Sequence, residues 1–137
     1  DHDFFTRLVT AYVDVVFANE EEARAFAMAE PADALERLHS LCEVAVVKLG
    51  PAGSTIMRGG ERIFAEAWPV DKVIDTTAAG DFYAAGVMYG LMNDCSLEQC
   101  AQVGTILSGH VIQIVGTQLV EETWEQMKNL ISQTIAS

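Results

Sequence analysis

The sequence predicts an α/β fold in which a largely parallel sheet is flanked by helices, and three observations carry that expectation. Short β-branched runs alternate with segments of helical periodicity. The first of these runs ends at Ala18 and passes straight into a helix start at Asn19. Half of the 137 residues are hydrophobic and 20% are charged, with only 3 Pro and 10 Gly, which is the composition of one packed domain.

Phe4, Phe5, Leu8, Val9 and Tyr12 recur at helical spacing, and Val13 to Ala18 then reads as a buried strand. Asn19 is a favoured N-cap, with Glu22 in capping-box position and acids in the first turn of a helix running to Met28. Pro31 opens the next helix, whose Leu35, Leu38 and Leu41 share one face. Val44 to Leu49 is a second buried strand. Gly50-Pro51-Ala52-Gly53 is a turn, and Ser54 to Met57 with Ile63 to Ala67, split by Gly59-Gly60, predicts an antiparallel hairpin.

An extended piece at Lys72 to Ile74 follows, then the small-residue turn Asp75 to Asp81 and an apolar helix from about Phe82 to Met92. Ser96 caps a further helix that packs through Leu97, Cys100, Ala101, Val103, Gly104 and Leu107, and Gly116-Thr117 ends that region. Glu121 to Ile135 is a terminal amphipathic helix with Trp124, Met127, Ile131 and Ile135 expected on its buried side. The aromatic and methionine positions at helical spacing are expected to be core.

Acid outnumbers base 20 to 8, a net charge of −12, with no basic run to hold a phosphate backbone, which excludes most nucleic-acid binders. The longest apolar runs, Val44 to Val47 and Ile112 to Val115, are far short of the ~20 residues that span a bilayer, so no membrane partner is expected. Cys42, Cys95 and Cys100 form no CxxC pair and fit a reducing, cytoplasmic setting; Cys95 and Cys100 are expected to pack rather than to ligate. His2, His39 and His110 lack metal-ligand spacing, and His110 reads as a satisfied core residue. Neither GxxxxGK[ST] nor GxGxxG occurs.

Chemistry concentrates between Asp75 and Met88. Ala78, Ala79 and Gly80 let the backbone approach a ligand, and the helix that follows aims unpaired N–H groups and its positive dipole end at that spot. This is an anion hole without cations, since no Lys or Arg lies between Lys72 and Lys128. Asp81 sits at the rim, where a carboxylate takes a proton from a hydroxyl while the amides hold the group under attack. The plainer alternative is that Asp81 caps the helix. Asn19 and Glu22 likewise read either as a bare capping box or as oxygen ligands.

Asp75-Thr76-Thr77-Ala78-Ala79-Gly80-Asp81 followed by Ala85-Gly86-Val87-Met88 resembles the second signature of the ribokinase-like (PfkB) carbohydrate and nucleoside kinases. Many members have Gly where this chain has Ala78, and Ala is also usual there. Asn19-Glu20-Glu21-Glu22 matches the family's Asn-x-x-Glu motif, and Lys48-Leu49-Gly50-Pro51-Ala52-Gly53 resembles its nucleotide-binding loop, in the family's order. The resemblance runs over essentially the whole sequence and corresponds to the C-terminal, ATP-binding part of such a kinase, with the N-terminal acceptor and lid part as a missing partner.

The resemblance implies that Asp81 is the general base for a sugar or nucleoside hydroxyl, and that the amides of Ala78, Ala79, Gly80 and Asp81 stabilise charge on the γ-phosphoryl of ATP. Asn19 and Glu22 would organise Mg²⁺, a cation that prefers oxygen ligands and retains water. Gly50 and Gly53 would lie against ATP, Lys48 would reach a phosphate, and Thr105 would line the adenine pocket. Asp75, with carbonyls near Thr77, Val111, Ile114 and Gly116, would hold a potassium ion. The wording around Asp14 to Phe26 and Gly109 to Thr117 resembles adenosine-kinase-like members most. The rival expectations are a non-catalytic nucleotide-binding or assembly module, and another α/β enzyme in which Asp81 is only a cap. A missing half would leave strand edges and apolar faces open, so association, including a homodimer, is a further expectation.

Overall fold

The structure is a computed structural model that describes residues 2–12, 14–28, 31–69, 78–111 and 121–137. The expected strand at Lys72 to Ile74, the helix end at Gly116-Thr117 and the candidate cation ligands Asp75, Thr77, Ile114 and Gly116 lie outside the described residues. The chain divides into two compact units, Asp1–Phe64 and Ala65–Ser137.

The first unit runs α1 (His2–Tyr12), β1 (Val15–Asn19), α2 (Glu20–Ala27), α3 (Pro31–His39), β2 (Val44–Lys48), a 3₁₀ turn (Gly50–Ala52), β3 (Ser54–Arg58) and β4 (Glu61–Ala65), whose last residue lies at the boundary. The strands form one sheet in the order β1-β2-β3-β4. β1 and β2 are parallel, joined by the α2–α3 crossover that parallel neighbours require, and β2 and β3 are antiparallel. The described sheet is therefore mixed: a parallel pair extended by the expected ribbon.

Burial explains the wording of each strand. Val44, Ala45, Val46 and Val47 of β2 are all buried, as suits a strand covered on both faces, so the run is apolar without alternation. Ala18, Ala23, Ala27, Ala34, Leu35, Leu38, Ala45 and Val47 make one cluster in which small residues on α2 meet larger ones on α3. The α2 helix ends one residue earlier than expected, at Ala27; the left-handed backbone of Met28 (φ 55°) closes the helix while its side chain stays in solvent. Arg37 of α3 donates to the Ala27 carbonyl at that end, and His39 Nε2 lies 2.7 Å from the Gly59 carbonyl in the β3–β4 turn.

The second unit holds α4 (Ala79–Met92), α5 (Leu97–Val111) and α6 (Glu121–Ala136). α5 is the central element, packed on α4 and on α6 and buried on most of its circumference. It opens on the Ser96–Gln99 capping box, with Gln99 N–H donating to Ser96 Oγ at 3.2 Å and Ser96 N–H to Gln99 Oε1 at 3.0 Å. The same Gln99 side chain donates to the Thr134 and Ser137 carbonyls at 3.2 and 3.0 Å, closing the C-terminus of α6. Cys95 and Cys100 are buried, unbridged thiols, as packing residues should be.

The expectation that aromatic and methionine positions are core needs correction. Met127 is fully buried, yet Trp124 on the same helix is 44% exposed, because among the described elements α6 has α5 as its one broad neighbour and buries a narrow stripe. Met28, Phe64, Met88, Tyr89 and Met92 are exposed as well. On α4 the reason is that the buried side is its glycine side, Gly86 and Gly90, which leaves the larger side chains outward.

Candidate functional site

Each unit carries part of the predicted chemistry. In the first unit, Asn19 closes β1 and caps α2: its Oδ1 accepts from the Glu22 N–H at 2.8 Å, and Glu22 Oε2 accepts from the Asn19 N–H at 2.8 Å. The capping box is real, and it holds both oxygen-bearing side chains in fixed, solvent-exposed positions at the carboxyl end of a sheet strand. The parallel register pairs Asn19 with Lys48, so the Asn-x-x-Glu stretch and the start of the glycine loop lie side by side at the same ends of β1 and β2. Ligands of open α/β sheets bind at that edge. No spacing in the sequence states this neighbourhood, because 28 residues separate the two.

The loop after Lys48 is tight. The Leu49 N–H donates to the Gly53 carbonyl at 2.8 Å and the Gly53 N–H to the Gly50 carbonyl at 3.1 Å, around a single 3₁₀ turn. Gly50 (φ 58°) and Gly53 (φ 117°, ψ −141°) take backbone conformations that side chains disfavour, and at Gly50 the space a Cβ would take is empty. The loop therefore offers bare backbone. Lys48 is half-buried and forms no ion pair among the described residues, which leaves its ammonium free for an anion.

In the second unit, α4 begins three residues earlier than expected, at Ala79, and its N-cap is Ala78 with φ 61° and ψ 4°. The Ala78 side chain makes no capping bond, and none is made by another described residue. The first intrahelical bond joins the Phe82 N–H to the Ala78 carbonyl at 3.0 Å, so the amides of Ala79, Gly80 and Asp81 precede the helix's own bonding pattern. Asp81 is the third helical residue and exposed, and the N-cap position that would have explained it away belongs to Ala78. Ala78 supplies a methyl where a capping side chain usually stands, which keeps the amides open at the cost of left-handed strain.

Packing holds that helix end in place. A Cβ on Gly86 would meet Gly104 Cα at 2.5 Å, one on Gly104 would meet the Tyr83 carbonyl oxygen at 2.8 Å, and one on Gly90 would meet Cys100 Cα at 2.9 Å. α4 and α5 thus touch backbone to backbone. Thr105, on the same stretch of α5, is buried and its hydroxyl donates to the Ala101 carbonyl at 2.7 Å.

Sequence reasoning missed one contact. Trp68 lies on Gly109, where a Cβ would run into the Trp68 Cβ, and its ring stacks obliquely on His110 with centroids 5.3 Å apart. His110 Nδ1 is 2.6 Å from the Ile106 carbonyl, which satisfies it as expected. Nothing local links Trp68 to α5, so no periodicity could have found the pair. Cys42 is half-buried, with Sγ 3.1 Å from the Leu38 carbonyl; burial first, and then the Asp14 charge, push its thiol above its ordinary value. Among the described residues no three His, Cys, Asp or Glu side chains gather to hold a metal, and no helix is long and apolar enough to cross a membrane.

Comparison with known proteins places the chain. Residues 4–124 match the model of the pfkB family carbohydrate kinases, and the chain belongs to that family. It is similar to the adenosine kinase of Sinorhizobium meliloti, with 37% identity and a TM-score of 0.85 over 93% of this chain and 40% of that one. A nucleoside kinase of Methanocaldococcus jannaschii is 33% identical over 69% of this chain and 30% of its own length. The ribokinase of Arabidopsis thaliana, solved with ribose and ATP, shares the fold at 23% identity, with a TM-score of 0.79 over 92% of this chain and 43% of that chain. The chain thus spans well under half the length of the relatives it matches.

Proposed function

We propose that this chain is the C-terminal, ATP-binding portion of a kinase that moves the γ-phosphoryl of ATP to a hydroxyl of a sugar or nucleoside, in the manner of adenosine-kinase-like members. The observation that carries the reading is the opening of α4: a left-handed Ala78, uncapped first-turn amides, and an exposed carboxylate three residues into the helix. Family membership supplies the reaction class.

Asp81 accepts the proton of the acceptor hydroxyl as its oxygen bonds to the γ-phosphorus, the bond to the ADP oxygen breaks, and the proton later passes to solvent. The amides from Ala78 to Asp81 hold the phosphoryl oxygens as charge shifts onto them, which uses aligned dipoles in place of cations. In the first unit, Lys48 and the bare backbone of Gly50 and Gly53 hold nucleotide phosphate. Asn19 and Glu22 present hard oxygen donors already oriented by their mutual cap, a set that suits Mg²⁺, and Mg²⁺ when bound neutralises phosphate charge. Thr105 contributes its methyl to the adenine side. Asp75 and Thr77, with the Val111 carbonyl, would take potassium.

The test is intact mass together with MgATP-dependent ADP release over a panel of sugars and nucleosides, for the native chain and Asp81→Asn. The amide keeps the shape of the side chain and removes the base, so turnover falls by on the order of 10²–10⁴ with nucleotide affinity little changed. An unchanged rate refutes the assignment. The rival, a non-catalytic nucleotide-binding or assembly module, is favoured by the 30% coverage of a curated relative, and it predicts nucleotide binding with no turnover on any acceptor.

A further inference from the structure

The glycine loop that follows β2 is tied to the interior of the first unit through one side chain. Ala45 and Val47 of β2 belong to the apolar cluster that α2 and α3 cover, and Leu49, next at a period of two, packs against that cluster. Gly50, Pro51 and Ala52 are exposed. The backbone leaves the strand at Leu49, with φ −112° and ψ 26°. Its N–H donates to the Gly53 carbonyl at 2.8 Å and its carbonyl accepts from the Ala52 N–H at 3.2 Å, so the anchored residue also carries two of the bonds that close the loop. The same cluster takes Ala23 and Ala27 of α2, the helix that Asn19 and Glu22 open. Loop and capping box therefore rest on one packed body.

We infer that Leu49 is a positioning residue for nucleotide phosphate, acting through the loop rather than on the ligand. Its grip on the cluster holds the bare backbone of Gly50 and Gly53 in register with Lys48 and with the Asn19–Glu22 pair. Glycine has more backbone freedom to lose than any other residue, and two of them stand in this turn. Without the anchor that freedom would have to be given up when ligand binds, and affinity would fall accordingly. Interiors packed to crystal-like density leave an anchored side chain few other places to sit, which is how the core fixes the loop. The inference rests on the nucleotide-binding role proposed for this loop, so loop order and ligand affinity are read separately.

The experiment compares the native 137-residue chain with Leu49→Ala. Residue-resolved hydrogen exchange sets the Leu49 and Gly53 amides, which close the loop, against the amides of β2. In Leu49→Ala the loop amides should exchange about tenfold faster relative to those of β2. The Kd for MgADP, by calorimetry, should rise about fivefold. Leu49→Met keeps the volume and should return both readings to within about twofold of native. Leu38→Val, in a buried member of the same cluster, should lower Tm and still leave both readings within about twofold. Should Leu49→Ala not fold, Leu49→Val carries the same expectation at reduced size. Loop amides that keep pace with β2 in the Leu49 variant, a loosened loop with unchanged MgADP affinity, or an equal loss of affinity in Leu38→Val each overturns the inference and leaves the nucleotide role of the loop standing. A native chain that binds no MgADP instead refutes that role, and with it the purpose assigned to Leu49.

Discussion

Gly86→Ala tests whether the contact of α4 with α5 holds the candidate anion hole. The new Cβ would stand 2.5 Å from Gly104 Cα, 2.7 Å from Gly104 N and 2.9 Å from the Val103 carbonyl carbon. All three are backbone atoms, so no side chain can swing aside, and the helices must part by about 1 Å to reach ordinary contact. Overpacking of this kind costs about 3 kcal/mol at the upper end of its usual range. Alanine recovers about 1 kcal/mol of helix propensity relative to glycine. The net loss is about 2 kcal/mol, a fall in Tm of roughly 6–10 °C for a chain of this size. Thermal melting by circular dichroism reads it, with Gly60→Ala as the control, since nothing lies within 4 Å of a Cβ there. Gly86 is five residues from Asp81, about 7.5 Å along the helix, so the displacement also reaches the first-turn amides. A Tm within 1 °C of the native value would show that the helices do not meet as described.

At Ala78, glycine should raise stability by about 0.5 kcal/mol and valine lower it by more than about 1 kcal/mol, because only glycine takes φ 61° without strain; urea titration of the three proteins gives the order. Asn19→Ala removes one half of the capping box and should cost about 1 kcal/mol in the same assay, with Asn19→Ser recovering most of it. Burial keeps the Cys42 thiol protonated to higher pH in the folded chain than in the unfolded one. Above the unfolded thiol's pKa the folded state therefore binds more protons, and stability falls as pH rises through that range. Cys42→Ser should flatten that alkaline slope, read by urea titration at stepped pH; an unchanged slope would assign it to other groups.

Much of the fold is legible locally. The Asn19–Glu22 and Ser96–Gln99 capping boxes depend on residues three apart, and Pro31 and the all-apolar β2 declare themselves by type alone. The start of α4 at Ala79 was hidden because it needs a left-handed alanine, a conformation no propensity favours. Trp124, Met88 and Met92 misled because a helical period shows which residues share a face and leaves open which face finds a neighbour.

The sequence by itself determined the order of the described strands and helices, the net acidity and the glycine loop, since each rests on the chemistry of residues near one another along the chain. Tertiary structure alone decided that Asn19 lies beside Lys48, that α4 and α5 meet through glycine backbones, and that Trp68 rests on Gly109. Those contacts join residues far apart in sequence. They form only when burial of apolar surface outweighs the entropy of bringing distant segments together, and no local pattern records that balance.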